Sequence, residues 1–274
     1  MKKQIAVVME GDKTEKGYWK AVEKAYFRDY EIQFVQLPFG KNLYMLWKRM
    51  QEDDFETDII EVIKERFKEI EKQLEDYSRD DFQEVYLFFD YDPHQHNLDW
   101  DGLSPDEVLG QMLEAFDNET ENGKLYISYP MSEALRDIRN MSCKSHSHCL
   151  VSIDDFKLKS YKEMSGEKNE FNYYKSYTER TWDMIIAIFL KRCACLLNCE
   201  ELDEDLLRWF KSSVGPMELF RRENELLSGN GKVFVLSAFP EFLLDYFRPS
   251  RFDNAMSLIS SIRAEACTEK WMLR

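Results

Sequence analysis

No apolar run in this 274-residue sequence approaches the roughly 20 residues that a helix needs to cross a bilayer, so no membrane span is expected. The short apolar stretch Ile5 to Met9 ends at Glu10, and no small-residue cleavage site follows it, so it does not read as a secretion signal. A Walker-type phosphate loop is missing, which argues against an ATPase, and there is no Gly-x-Ser-x-Gly nucleophile elbow. Internal repeats and low-complexity tracts are missing too. Positive charge is scarce: 37 Lys and Arg face 52 Asp and Glu, a formal net charge of −15. Such a surface repels nucleic acid at long range, which excludes tight nonspecific coating of DNA by this chain alone. A local basic groove or a basic partner offsets that repulsion. The six cysteines follow no disulfide framework, and Cys193, Cys195 and Cys199 fall in or near one apolar helical stretch, where buried inert thiols are the default. A reduced, cytoplasmic, soluble protein is the expectation.

With 44% hydrophobic residues the chain has enough core material to rule out disorder. Its first half alternates strand and helix. Gln4 to Met9 is a continuous β-branched-rich run, as in a strand buried on both faces. Glu10-Gly11-Asp12-Lys13 turns the chain, and Thr14 is placed to cap a helix over Glu15 to Arg28. Glu31 to Leu37 reads as a second strand, followed by a long charged helical region from about Asn42 to Tyr77. Glu84 to Phe89 is the third strand, Ser104-Pro105 starts a helix to about Phe116, and Lys124 to Ser128 is the fourth strand, with a helix from Glu133 to Arg139 after it. This predicts an α/β fold with a mainly parallel sheet flanked by helices. The expected organisation is an α/β domain over 1–150, a helical insertion over 151–229 with Thr181 to Leu197 its most apolar helix, a return to the sheet over 230–248 with Lys232 to Leu236 as strand, and a helical tail over 249–274.

In an open parallel sheet, ligands bind at the carboxyl ends of the strands. Glu10 ends the first strand, Asp90 and Asp92 end the third, and Glu133 follows the fourth. Asp90 and Asp92 are two apart, so they face the same way if the backbone stays extended. Gly11 permits a tight turn and close approach beside Glu10. Carboxylates gathered in this way repel one another, and a hard divalent cation relieves the repulsion. Mg²⁺ is the expected ion, with Mn²⁺ as its substitute, and such a site can polarise a phosphodiester and activate water.

The apolar strand ending in Glu10-Gly11 and the later one ending in Asp90-Tyr91-Asp92 resemble the TOPRIM domain, a Rossmannoid fold shared by topoisomerases, primases and OLD-family nucleases. The run Glu10-Gly11-Asp12-Lys13-Thr14-Glu15 is similar to the Glu-Gly-x-x-Thr-Glu form of RloB-like proteins, and Ser128-Tyr129-Pro130-Met131-Ser132-Glu133 to their later Pro-turn glutamate. The resemblance covers roughly residues 4–137. It implies Mg²⁺-dependent cleavage of RNA, tRNA among the candidates, or of DNA. Glu10 would be acid/base or ligand, Asp90 and Asp92 ligands, and Glu15 and Glu133 would serve a second metal. It further implies the toxic effector of a bacterial anti-phage system, as in PARIS- and AbiL-type systems, working with an ABC/SMC-type ATPase. Two other functions fit the same fold: a non-catalytic regulatory module, and a phosphoryl-transfer enzyme acting on a small phosphate ester.

Other residues carry weaker signals. His94 stands near the acidic pair as an outer neighbour of a metal, with His96 beyond it, or both are surface histidines. Cys143, His146, His148 and Cys149 are zinc-ligand types packed too closely for a tetrahedron, so no zinc is expected. Tyr173, Tyr174 and Tyr177 with Lys168 and Lys175 are types that stack bases and touch phosphates, or else form a helix packing edge. The long charged helices and the insertion offer surfaces for a homo-oligomer.

Overall fold

The computed structural model describes residues 2–66, 72, 74–91, 100, 102–138, 149–152, 160–166, 170–197, 215–247, 250–251 and 253–258. Among these, the main sheet has five strands in the order β2-β1-β3-β5-β4, where β1 is Lys3–Met9, β2 Ile32–Pro38, β3 Glu84–Asp90, β4 Asp117–Asn118 and β5 Gly123–Ser128. The pairs β1–β2, β1–β3 and β3–β5 are parallel, and the two-residue β4 forms an antiparallel edge. The apolar runs read as buried strands are just that: Ile5 to Met9 and Val85 to Phe89 are nearly or wholly inaccessible. Helices cover the sheet, giving an α/β architecture of Rossmann-like kind.

The chain leaves β1 for β2 on one side and returns to β3 on the other. A crevice therefore opens between the carboxyl ends of β1 and β3, where strand order reverses. Helix α1, Thr14–Tyr26, leaves from this edge. Its expected Thr14 cap is not formed: Lys13 is the capping residue, without a side-chain cap bond.

Other expectations need correction. The helical region from Asn42 to Tyr77 contains two described helices, α2, Leu43–Gln51, and α3, Ile59–Arg66, separated by a turn in which Asp54 and Phe55 take positive φ. The segment after β5 is a short 3₁₀ turn, Ser132–Leu135, instead of a helix reaching Arg139. Helix α4, Pro105–Ala115, begins as read, with Ser104 and Glu107 forming a capping box.

Among the described residues most of the second half's buried side chains belong to the same apolar cluster as the sheet, beside a small separate one of Ala134, Val151, Tyr161 and Val235. Strand β6, Leu150–Ser152, spans the expected boundary between the α/β domain and the helical insertion; α5, Ser160–Met164, and α6, Glu179–Leu196, follow it, then α7, Pro216–Asn230, strand β7, Lys232–Phe234, and α8, Ala238–Tyr246. The return to the sheet at Lys232–Leu236 does not occur: β7 pairs antiparallel with β6 in a separate ribbon, touching the main sheet only through the Tyr129–Leu236 bridge among the described residues. What closes the sheet is α8. Phe242 packs its ring against Trp19, Phe88, Tyr86 and Tyr126, with centroids 4.9–5.8 Å apart. Trp182 and Ile186 of α6 belong to the same apolar cluster as the sheet. Buried Arg192 staples the halves by donating to the carbonyls of Val235 and Asp137. Among the described residues no helix is long and apolar enough to cross a membrane. Only 250–251 and 253–258 of the tail are described.

Candidate metal centre

Glu10 is the first residue past β1 and Asp90 the last of β3, so parallel pairing of these strands delivers both carboxylates to the switch-point crevice. Their backbones interlock: the Glu10 amide donates to Phe88 O at 3.1 Å, and the Asp90 amide donates to Glu10 Oε2 at 3.3 Å. Asp90 Oδ1 accepts the Ser132 amide at 2.7 Å, which ties the strand end to the 3₁₀ turn that carries Glu133. Burial first, and then the carboxylates of Glu10, Glu15 and Glu133, push the Asp90 carboxyl well above the ordinary aspartate range, against the pull of the Ser132 amide.

Glu15, in the first turn of α1, folds back so that its Oε1 accepts the Gly11 amide at 3.1 Å. A Cβ at Gly11 would overlap that carboxylate, so Glu15 holds this position only beside a glycine. Burial raises the Glu15 carboxyl as well, with Glu133 adding to the shift. Glu133 is 3% exposed; Lys162 Nζ stands 3.1 Å and Arg136 Nη2 3.9 Å from its Oε1.

Glu10, Glu15, Asp90, Glu133 and Lys162 line a cleft of about 860 Å³, with Lys13 and Lys41 at its wall. The structure thus brings Glu10, Glu15, Asp90 and Glu133 into one cleft. Asp92, His94 and His96 lie outside the described residues, as do Cys143, His146 and His148; Cys149 is buried. Sequence reading missed Lys162, Ser132 and Arg136. Lys162 is one cation among many in the sequence, and its pairing with a glutamate 29 positions away (133 to 162) leaves no local trace. The contribution of Ser132 is a backbone amide, which any residue there would supply.

Among the described residues no group of three or more His, Cys, Asp or Glu side chains is arranged to hold a metal ion. The donors nevertheless fit a hard divalent cation in kind. They are carboxylate oxygens, and Asp90 is set where its ionised form is penalised by its neighbours and would be relieved by a cation. Compared with protein-family models, curated proteins and solved structures, the chain matches none.

Proposed function

We propose that the cleft is the active site of a Mg²⁺-dependent, TOPRIM-like nuclease that cuts RNA or DNA. One observation carries the reading: Glu10 and Asp90 meet at the crevice where the strand order reverses, with the Asp90 amide on Glu10 Oε2 and the two carboxylates repelling each other. Glu10, Asp90 and Asp92 would hold the first ion, and Glu15 and Glu133 a second, with Mn²⁺ able to substitute. When bound, such an ion neutralises a phosphodiester and makes its water a nucleophile at neutral pH. The protein's own part is positional. The Ser132 amide fixes one oxygen of Asp90, and the Gly11 amide fixes one of Glu15. Glu10 is the candidate acid/base. In its biological setting the chain is read as the toxic effector of an anti-phage system held in check by an ABC/SMC-type ATPase, an expectation that comes from the resemblance in Glu10 to Glu15, Asp90 to Asp92 and Ser128 to Glu133.

The test is cleavage of tRNA, plasmid and single-stranded DNA with Mg²⁺ by wild type and Glu10→Ala. Cleavage by wild type alone is expected; equal cleavage by both sinks the assignment. A metal-free regulatory module is the second reading, and one observation favours it: Lys162 and Arg136 already face Glu133. Under that reading, Asp90→Ala leaves cellular toxicity intact.

A further inference from the structure

Resting on the nuclease reading above, we propose that the outer face of α1 is a track for a single-stranded nucleic acid, which enters the cleft past Lys13 and stacks a base on Tyr173. The chain carries a net charge of −15, so any local run of cations stands out against it. Lys13, Lys16, Lys20 and Lys24 recur at three- and four-residue steps. At 3.6 residues per turn they fall within an arc of about 80° on one face of the helix. At 1.5 Å per residue they extend over about 17 Å. Lys13, Lys20 and Lys24 are exposed, and exposed Arg28 follows just beyond the helix. Lys16 is half-buried and pairs with Asp12 at 2.8 Å. Lys13, Lys20 and Lys24 make no ion pair with a carboxylate among the described residues. The row starts in the cleft itself, which Lys13 lines. Cations in line, leading into a carboxylate floor, suit a polyanion that is gripped along its backbone and presents one phosphate to the acids.

Tyr173 supplies an independent observation. Of the tyrosines singled out in the sequence, Tyr177 is buried and bonds Phe171 O. Tyr174 seats its ring against Gly17, where a Cβ would overlap it, and meets Tyr18 edge-on at 5.0 Å. Gly17 stands beside the lysine face on the helical wheel. Tyr174 therefore fixes this segment next to the track, while Tyr173 remains 73% exposed, with exposed Lys175 two positions on. The same segment is joined to the cleft wall, since Asn172 Nδ2 donates to Gly166 O, two residues past the end of α5. An exposed ring on a segment that packs against the helix carrying the cations supplies the two parts that bind unpaired bases: aromatic faces take the bases and lysines take the phosphates.

The experiment measures anisotropy of a labelled single-stranded oligonucleotide, long enough to span α1, in Ca²⁺ across a salt series. Hydrolysis of bis(p-nitrophenyl) phosphate in Mg²⁺ is followed in parallel as a readout of the cleft alone. Lys20→Gln with Lys24→Gln should lower the magnitude of the log–log salt slope by about 1.4, since each lost phosphate contact removes about 0.7 on a single strand. Tyr173→Ala should weaken binding by about 5- to 150-fold with the slope unchanged. Ester hydrolysis should stay at the wild-type rate in both variants. Wild-type affinity and slope in the lysine variant overturn the track, and so does a wild type that hydrolyses the ester without binding the oligonucleotide. Tighter binding to duplex with no effect of Tyr173→Ala overturns the single-strand assignment. Track variants that lose binding while Glu10→Ala cleaves normally uphold the track and sink the catalytic reading instead.

Discussion

Replacing Gly11 by alanine adds one methyl group at the mouth of β1, and the structure says what it meets. The added carbon overlaps both carboxylate oxygens of Glu15, while the Gly11 backbone is outside the left-handed region, so backbone strain is not the cause. Glu15 is only 8% exposed, and its Oε1 is held by the Gly11 amide. To admit the methyl, Glu15 has to swing its carboxylate toward the cleft it lines and give up that hydrogen bond. Leaving the Gly11 amide without that partner costs about 1–3 kcal/mol, and a value near the middle, about 2 kcal/mol, is expected for Gly11→Ala. If Glu15 is the obstacle, the cost disappears with it: in a Glu15→Ala background, Gly11→Ala should cost under about 0.5 kcal/mol, a coupling of about 1.5 kcal/mol. Urea unfolding of the four proteins, followed by tryptophan fluorescence, measures the cycle. Equal costs of Gly11→Ala in both backgrounds would refute the packing argument and with it the claim that Glu15 braces the Glu10-Gly11 turn.

Two more predictions test the fold and its electrostatics. Phe242→Ala should cost about 3–5 kcal/mol and leave a single unfolding transition, because its ring packs on Trp19, Phe88, Tyr86 and Tyr126; a small loss, or two transitions in urea, would mean that α8 is not part of the sheet's core. Glu223 is buried, accepts the Phe234 amide at 2.9 Å, and has its carboxyl pushed well above the ordinary glutamate range by burial. A folded-state pKa raised above the unfolded one gives stability that is present below the ordinary glutamate range and is lost as pH rises through the folded value. The advantage of Glu223→Gln over wild type should therefore grow with pH, and urea midpoints that run parallel from pH 5 to pH 8 would contradict it.

The features legible in the sequence were those set by short-range pattern. Ile5 to Met9 and Val85 to Phe89 are apolar without a break because both faces of a central parallel strand are covered, and a strand's end places Glu10 and Asp90 without further information. Ser104, Pro105 and Glu107 announce α4 for an equally local reason. The misses depend on distance or on choices that composition leaves open. Val233 and Phe234 suit a strand in the main sheet as well as one in a ribbon with β6, and only the partner, some 80 residues earlier (Val151 to Val233), decides between them. The break between α2 and α3 rests on Asp54 and Phe55 at positive φ, with no glycine or proline to mark it. Lys162 joins the cleft through tertiary packing alone, and the lysines of α1 face one way only once the helix is fixed. Glu15 and Glu133 could be placed near the site from the motif, but their partners, the Gly11 amide and Lys162, could not.

Whether the cleft between β1 and β3 holds a divalent cation decides between a metal-dependent nuclease and a metal-free module. Mn²⁺ titration followed by electron paramagnetic resonance measures this without any substrate or partner. Wild type should bind one or two ions, and Glu10→Gln and Asp90→Asn should each weaken the binding at least tenfold. No binding by wild type, or binding that both variants retain in full, would contradict the claim.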